Sequence, residues 1–228
     1  MPYSAGVRNW VDTARRHPSA WLLLAQLLGV VIYPFMGESP SGRALVSLFG
    51  LFVLVLAVWV TRTTPALTGV AIVLGLPVVV LTLVEALAPG RAAVVLWSSV
   101  LHSAFYFYTT YGLIRYMFAD RRISADELLA TGATFTVVAW AFAYAYTAIQ
   151  VVWPGSFVSA TDAGTTRTWV ELLFLSFTNL TSTGLSDITP VVPQARAVVM
   201  IEQMAGILYV ALVVSRVVGL TLARQRRD

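Results

Sequence analysis

The run from Ala66 to Leu87 carries a single charge, Glu85, and five other long apolar runs share the chain with it. A bilayer core takes about 20 apolar residues per helix, so runs of this length and purity are best matched to a lipid solvent. The six runs are Ala20–Met36, Ala44–Val60, Ala66–Leu87, Ala92–Phe118, Leu128–Trp153 and Ala195–Leu222. Breakers separate them: Gly37-Glu38-Ser39-Pro40, Thr61–Pro65, Pro89-Gly90-Arg91 and the charged stretch Arg121–Glu127. Only 11% of the residues are charged, against about 25% in soluble domains, so a soluble helical protein would have to hide nearly every helix face. The expected fold is all-α and integral to a membrane.

All 15 basic residues are arginines. They cluster between the apolar runs, which argues for topology rather than nucleic-acid binding. With a cytoplasmic N-terminus, Arg8, Arg15, Arg16, Arg62, Arg115, Arg121, Arg122, Arg216, Arg224, Arg226 and Arg227 fall inside. Arg43, Arg91, Arg167 and Arg196 fall outside. This positive-inside bias predicts both termini in the cytoplasm and a multi-pass protein of the cell membrane. Without cysteine the chain has no thiolate metal site and no cysteine nucleophile. No HExxH or GxSxG pattern suggests a hydrolase, no paired halves suggest a secondary transporter, and no cofactor or soluble partner is implied.

The stretch from Val151 to Gln194 is too long for a hairpin turn and holds a short apolar run, Trp169–Leu180. Such a run cannot span a bilayer and reads as a re-entrant helix. Irregular backbone at membrane depth survives only inside protein or beside water, which makes Thr178–Asp187 the water-facing element. The chemistry suits a permeating cation. Rings of backbone carbonyls can replace an ion's hydration shell, a glycine eases the required turns, and a short helix aims its negative end at the ion. One such loop encloses nothing, so four copies must assemble around an axis as a homotetramer.

The segment Thr181-Ser182-Thr183-Gly184-Leu185-Ser186-Asp187 resembles the pore filter of the potassium channel superfamily, which reads Thr-Val-Gly-Tyr-Gly-Asp. Ser182 takes the Thr place, Thr183 the Val, Gly184 the first Gly, Leu185 the Tyr, Ser186 the second Gly and Asp187 the Asp. The similarity covers roughly Leu128–Leu222, with Arg196 and Gly206 where bacterial pores carry an outer-end arginine and a gating-hinge glycine. It implies K+ bound at the carbonyls of Ser182, Thr183, Gly184 and Leu185.

Two departures bear on selectivity. Leu185 lacks a tyrosine hydroxyl that would tether the filter, and Ser186 would pay about 1–2 kcal/mol if held in a left-handed conformation. Potassium conduction with weakened discrimination against sodium is the expectation. The string Thr183-Gly184-Leu185-Ser186 also resembles pore loops of Trk/Ktr potassium transporters, the alternative reading; those have four loops per chain.

An intramembrane carboxylate defaults to a functional hypothesis, and Glu202 is expected to support the filter from behind, through Asn179 or filter amides. Arg216 is expected to snorkel to the inner interface. His102 reads as a helix-packing group. The domain expectation is an N-terminal segment 1–19, a four-helix peripheral domain 20–127, a pore domain 128–222 and a tail 223–228. Span four offers Arg115 alone where a voltage sensor needs an arginine ladder, so weak voltage dependence is expected.

Overall fold

A computed structural model describes residues 17–35, 49–50, 52–59, 65–87, 90–119, 125–160, 164 and 166–225. Most of the N-terminal segment, much of the second expected span, the breakers 37–40, 61–64 and 121–124, and the tail residues 226–228 lie outside the described residues. The labelled helices are α1 (Pro18–Ile32), α2 (Pro65–Leu87), α3 (Ala92–Met117), α4 (Ala125–Val152), α5 (Trp169–Leu180) and α6 (Pro193–Gln225). Residues 52–59 are also helical.

Among the described residues, three helices are long and apolar enough to cross a membrane, over Gly69–Leu87, Asp126–Val152 and Pro193–Gly219. Helix α1 is shorter than its apolar run. A Tyr33–Phe35 turn of 3-10 helix ends it. Helix α3 has the length but falls outside that set, since its buried face carries Ser98, Ser99, His102, Ser103, Thr109 and Thr110. Two of these hydroxyls are satisfied on their own helix: Thr109 donates to the Phe105 carbonyl at 3.0 Å and Thr110 to that of Tyr106 at 2.9 Å.

Helix α4 is the central element. It packs along α1, α3 and α5 and touches α6. Fully buried Ala130, Ala133, Ala139, Ala141 and Ala143 let neighbours approach its backbone closely. One apolar cluster joins Leu22, Val53, Val78, Phe105 and Trp140 with Leu173 and Leu180 of α5. A second, also drawing on α5, joins Tyr146, Phe157, Leu172, Leu175, Ile188 and Val199.

The fold is not wholly helical. Strand β1 (Phe157–Ser159) pairs antiparallel with β2 (Ile188–Pro190), in the register Phe157↔Pro190, Val158↔Thr189 and Ser159↔Ile188. Strands of three residues are too short to carry a readable alternation.

The N-terminus of α1 is tied down by a residue remote in sequence. Pro18 opens the helix, as suits a residue without an N–H. The Ser19 N–H donates to Asp126 Oδ1 at 3.1 Å, and the Ser19 hydroxyl to Oδ2 at 3.0 Å. The Tyr116 hydroxyl donates to the same Oδ2 at 2.8 Å, so one buried carboxylate joins α1, α3 and α4. Asp126→Ala is expected to lower the thermal unfolding midpoint in detergent. It strands buried donors at a cost on the order of 1–3 kcal/mol, and Asp126→Asn, which keeps an acceptor, should cost less. An unchanged midpoint in the alanine variant would remove this carboxylate from the account of α1.

Candidate functional site

Helix α5 starts with a reciprocal cap. The Glu171 N–H donates to Thr168 Oγ1 at 3.3 Å, and the Thr168 N–H donates to Glu171 Oε2 at 2.6 Å. The Thr-x-x-Glu spacing ahead of an apolar run marks this start in the sequence itself. Residue 167 fixes the approach to it: the Arg167 N–H donates to Gln150 Oε1, and Gln150 Nε2 donates to the Arg167 carbonyl, both at 2.8 Å. The Arg167 guanidinium lies 3.4 Å from Glu171.

The other end of α5 runs straight into the candidate filter. The Thr181 N–H donates to the Phe177 carbonyl at 3.0 Å and that of Ser182 to the Asn179 carbonyl at 3.0 Å. The next two amides converge on one acceptor: Thr183 N–H reaches the Thr178 carbonyl at 3.0 Å and Gly184 N–H reaches it at 3.3 Å. In a planar trans peptide the C=O points opposite to the N–H. The carbonyls of Ser182 and Thr183 therefore point away from the α5 terminus, on the side where residues Thr181 to Leu185 are exposed.

Conformation alternates along this segment. Ser182 has φ 57° and Gly184 φ 64°, while Thr183 between them is not left-handed. Ser182 is the one non-glycine with positive φ among the described residues, a state that costs about 1–2 kcal/mol. The strain expected at Ser186 is thus found at Ser182 instead. Ser186 keeps an ordinary backbone, and its hydroxyl oxygen accepts from the Ile188 N–H at 3.0 Å. Thr181 Oγ1 donates to the Phe177 carbonyl at 2.7 Å and lies 3.1 Å from Thr183 Oγ1. Leu185 stands 77% exposed, with no polar atom to anchor it.

Behind the candidate filter sits a buried polar cluster built from three helices. Glu202 of α6 is fully buried. Its carboxylate accepts from the hydroxyls of Tyr146 (α4) and Ser176 (α5), and from Asn179 Nδ2 at 3.2 Å. Asn179 Nδ2 also lies 3.4 Å from the Tyr146 oxygen. The structure brings Glu202 and Asn179 together, as the sequence suggested, and adds Tyr146 and Ser176. A hydroxyl inside an apolar span needs a partner, but the sequence does not say which partner Tyr146 and Ser176 take.

Gly206 has a tighter constraint than a hinge requires. A Cβ there would meet the Leu180 carbonyl oxygen at 2.2 Å and the Leu180 Cα at 2.8 Å. Helix α6 runs unbroken through this position, so glycine serves a backbone-to-backbone contact between α6 and the last turn of α5. Arg216 does not snorkel free. It pairs with Glu127 at 3.2 Å and its guanidinium lies 4.7 Å from the centre of the Phe118 ring. His102 is a packed group, stacked on Tyr144 at 4.3 Å with Nδ1 2.8 Å from the Ser98 carbonyl.

Residues 132–222 match the model of the ion channel family. The match covers less than half of the chain. It takes in most of α4, both strands, α5, the candidate filter and α6 as far as residue 222. Comparisons with curated proteins and with solved structures returned no match.

Gly206→Ala is expected to dislodge the end of α5, because the obstructing atoms are backbone and cannot rotate aside. The cost should be at least the 1–3 kcal/mol typical of overpacking, read as a lower unfolding midpoint in detergent. A midpoint equal to that of the unmodified chain would show that α6 yields at this point without loss.

Proposed function

We propose that this chain is one subunit of a homotetrameric cation channel that conducts K+ passively. The observation that carries the reading is the paired donation of the Thr183 and Gly184 amides to the Thr178 carbonyl, which turns the Ser182 and Thr183 carbonyls outward. An ion replacing its water shell needs such fixed oxygens, and the C-terminus of α5 adds a negative dipole end beside them. Ion-binding residues are then Thr181 to Asp187, with K+ held at the carbonyls of Ser182, Thr183, Gly184 and Leu185. Asn179 and Glu202 hold α5 from behind.

Exposure along α6 supports assembly into the tetramer. Along α6, Met200, Ile201, Met204, Ile207, Leu208, Val210 and Val214 are all more than half exposed in the single chain, as is Leu185 of the filter. Neighbouring subunits around a four-fold axis, with lipid outside them, would cover these faces. The reading keeps α5 as a re-entrant helix and six spans per subunit, with both termini in the cytoplasm of a cell-membrane protein. It also expects weak voltage dependence, since α3 carries Arg115 in place of an arginine ladder. If α6 bends at Gly206 during opening, the Leu180 contact must move with it.

Selectivity for K+ over Na+ is expected to be real but weaker than in channels whose filter carries a tyrosine tether, because each 1.4 kcal/mol of discrimination is a factor of ten. The purified full chain in planar bilayers, under opposed K+ and Na+ gradients, should give unitary cation currents with a reversal potential favouring K+. Native mass in detergent should give four copies. Chloride selectivity, or a conducting monomer or dimer, would overturn the assignment.

A further inference from the structure

The outer end of the candidate filter is held by a segment more than twenty residues upstream. Ser159 closes β1, is 3% exposed, and donates its hydroxyl to Asp187 Oδ2 at 3.0 Å. One residue on, the Ala160 N–H donates to the Asp187 carbonyl at 3.3 Å, so the side chain and the backbone of Asp187 are gripped from the same side. Beyond it the β1–β2 ladder begins with Ser159 opposite Ile188. The Val191 N–H closes the far side on the Ser156 carbonyl at 2.9 Å.

This clip is anchored rather than loose. Phe157 and Ile188, each 2% exposed, sit in the cluster formed with Tyr146, Leu172 and Val199, and the Phe157 ring lies 5.1 Å from that of Tyr146. Tyr146 in turn holds Glu202. Leu185 has no polar atom with which to fix the filter's width, and the Ser186 hydroxyl is engaged by the Ile188 N–H within its own turn.

Resting on the channel reading above, we propose that β1 braces the outer mouth of the filter and that Ser159 is a positioning residue for ion selectivity, acting through Asp187. The Ser159 hydroxyl supplies from outside the filter the restraint that the side chain at 185 cannot supply from within.

The test compares the full chain with Ser159→Ala, Ser159→Thr and Ser159→Cys in planar bilayers, reading the K+/Na+ permeability ratio beside unitary K+ conductance and native mass. Losing a charge-assisted hydrogen bond at the filter mouth is expected to lower the ratio about tenfold in the alanine variant, with the tetramer intact and K+ still conducted. The threonine variant keeps the hydroxyl and should restore the ratio. If the alanine variant yields no assembled protein, the cysteine variant, of similar size but a weak donor, should show the same fall. An unchanged ratio in assembled alanine or cysteine variants overturns the brace while leaving the channel reading intact. An unmodified chain that passes no cation current overturns both.

Discussion

A carboxylate buried in an apolar bundle must find donors, and Glu202 finds three on two other helices. That requirement fixes the rotation of α6 toward α4 and α5, the depth of α5, and the side from which α5 presents its C-terminus. Leaving one of these donors without the carboxylate would strand a polar group where no water reaches. The placement of the segment Thr181–Asp187 descends from this cluster: α5 is held toward its C-terminal end, at Ser176 and Asn179, and the candidate filter residues follow directly.

Two other charged contacts tie the helices at a different level. Asp126 and Glu127 are adjacent, in the first turn of α4, and take different partners. Asp126 holds α1 and α3 through Ser19 and Tyr116; Glu127 holds α6 through Arg216. The start of α4 thus binds helices preceding the matched channel segment as well as the last helix of that segment. Movement of α1 or α3 at this level bears on the end of α6 through a single turn of α4.

The sequence made much of this legible, for physical reasons that differ by element. The α5 run could be read because it is too short to span and is followed by polar residues that only water or protein could accommodate. Glu202 could be read because a lone carboxylate in an apolar span is costly. Tyr146 and Ser176 were hidden by the periodicity itself: in a bundle apolar on every side, no face of α4 or α5 marks itself as the polar one. Strands β1 and β2 are paired across the whole of α5 and the filter, so nothing local announces them. The Glu127 partner of Arg216 could not be read, because it lies 89 positions away. The backbone of Ser186 was misjudged by analogy at a position where its hydroxyl closes a turn without any positive φ, whereas Ser182 has its strained φ imposed by the two amides that follow it.

The contact between Gly206 and Leu180 makes the two helices mechanically inseparable at that height. Their backbones touch with no side chain between them to act as a cushion, and the residue after Leu180 already belongs to the candidate filter. Four turns or so from the N-terminal end of α6, this point works as a fulcrum. A sideways swing of the lower half of α6, where Arg216 is moored, would press directly on the last turn of α5. The C-terminal part of the last helix and the candidate filter would then communicate as two arms of one lever, without any moving part between them.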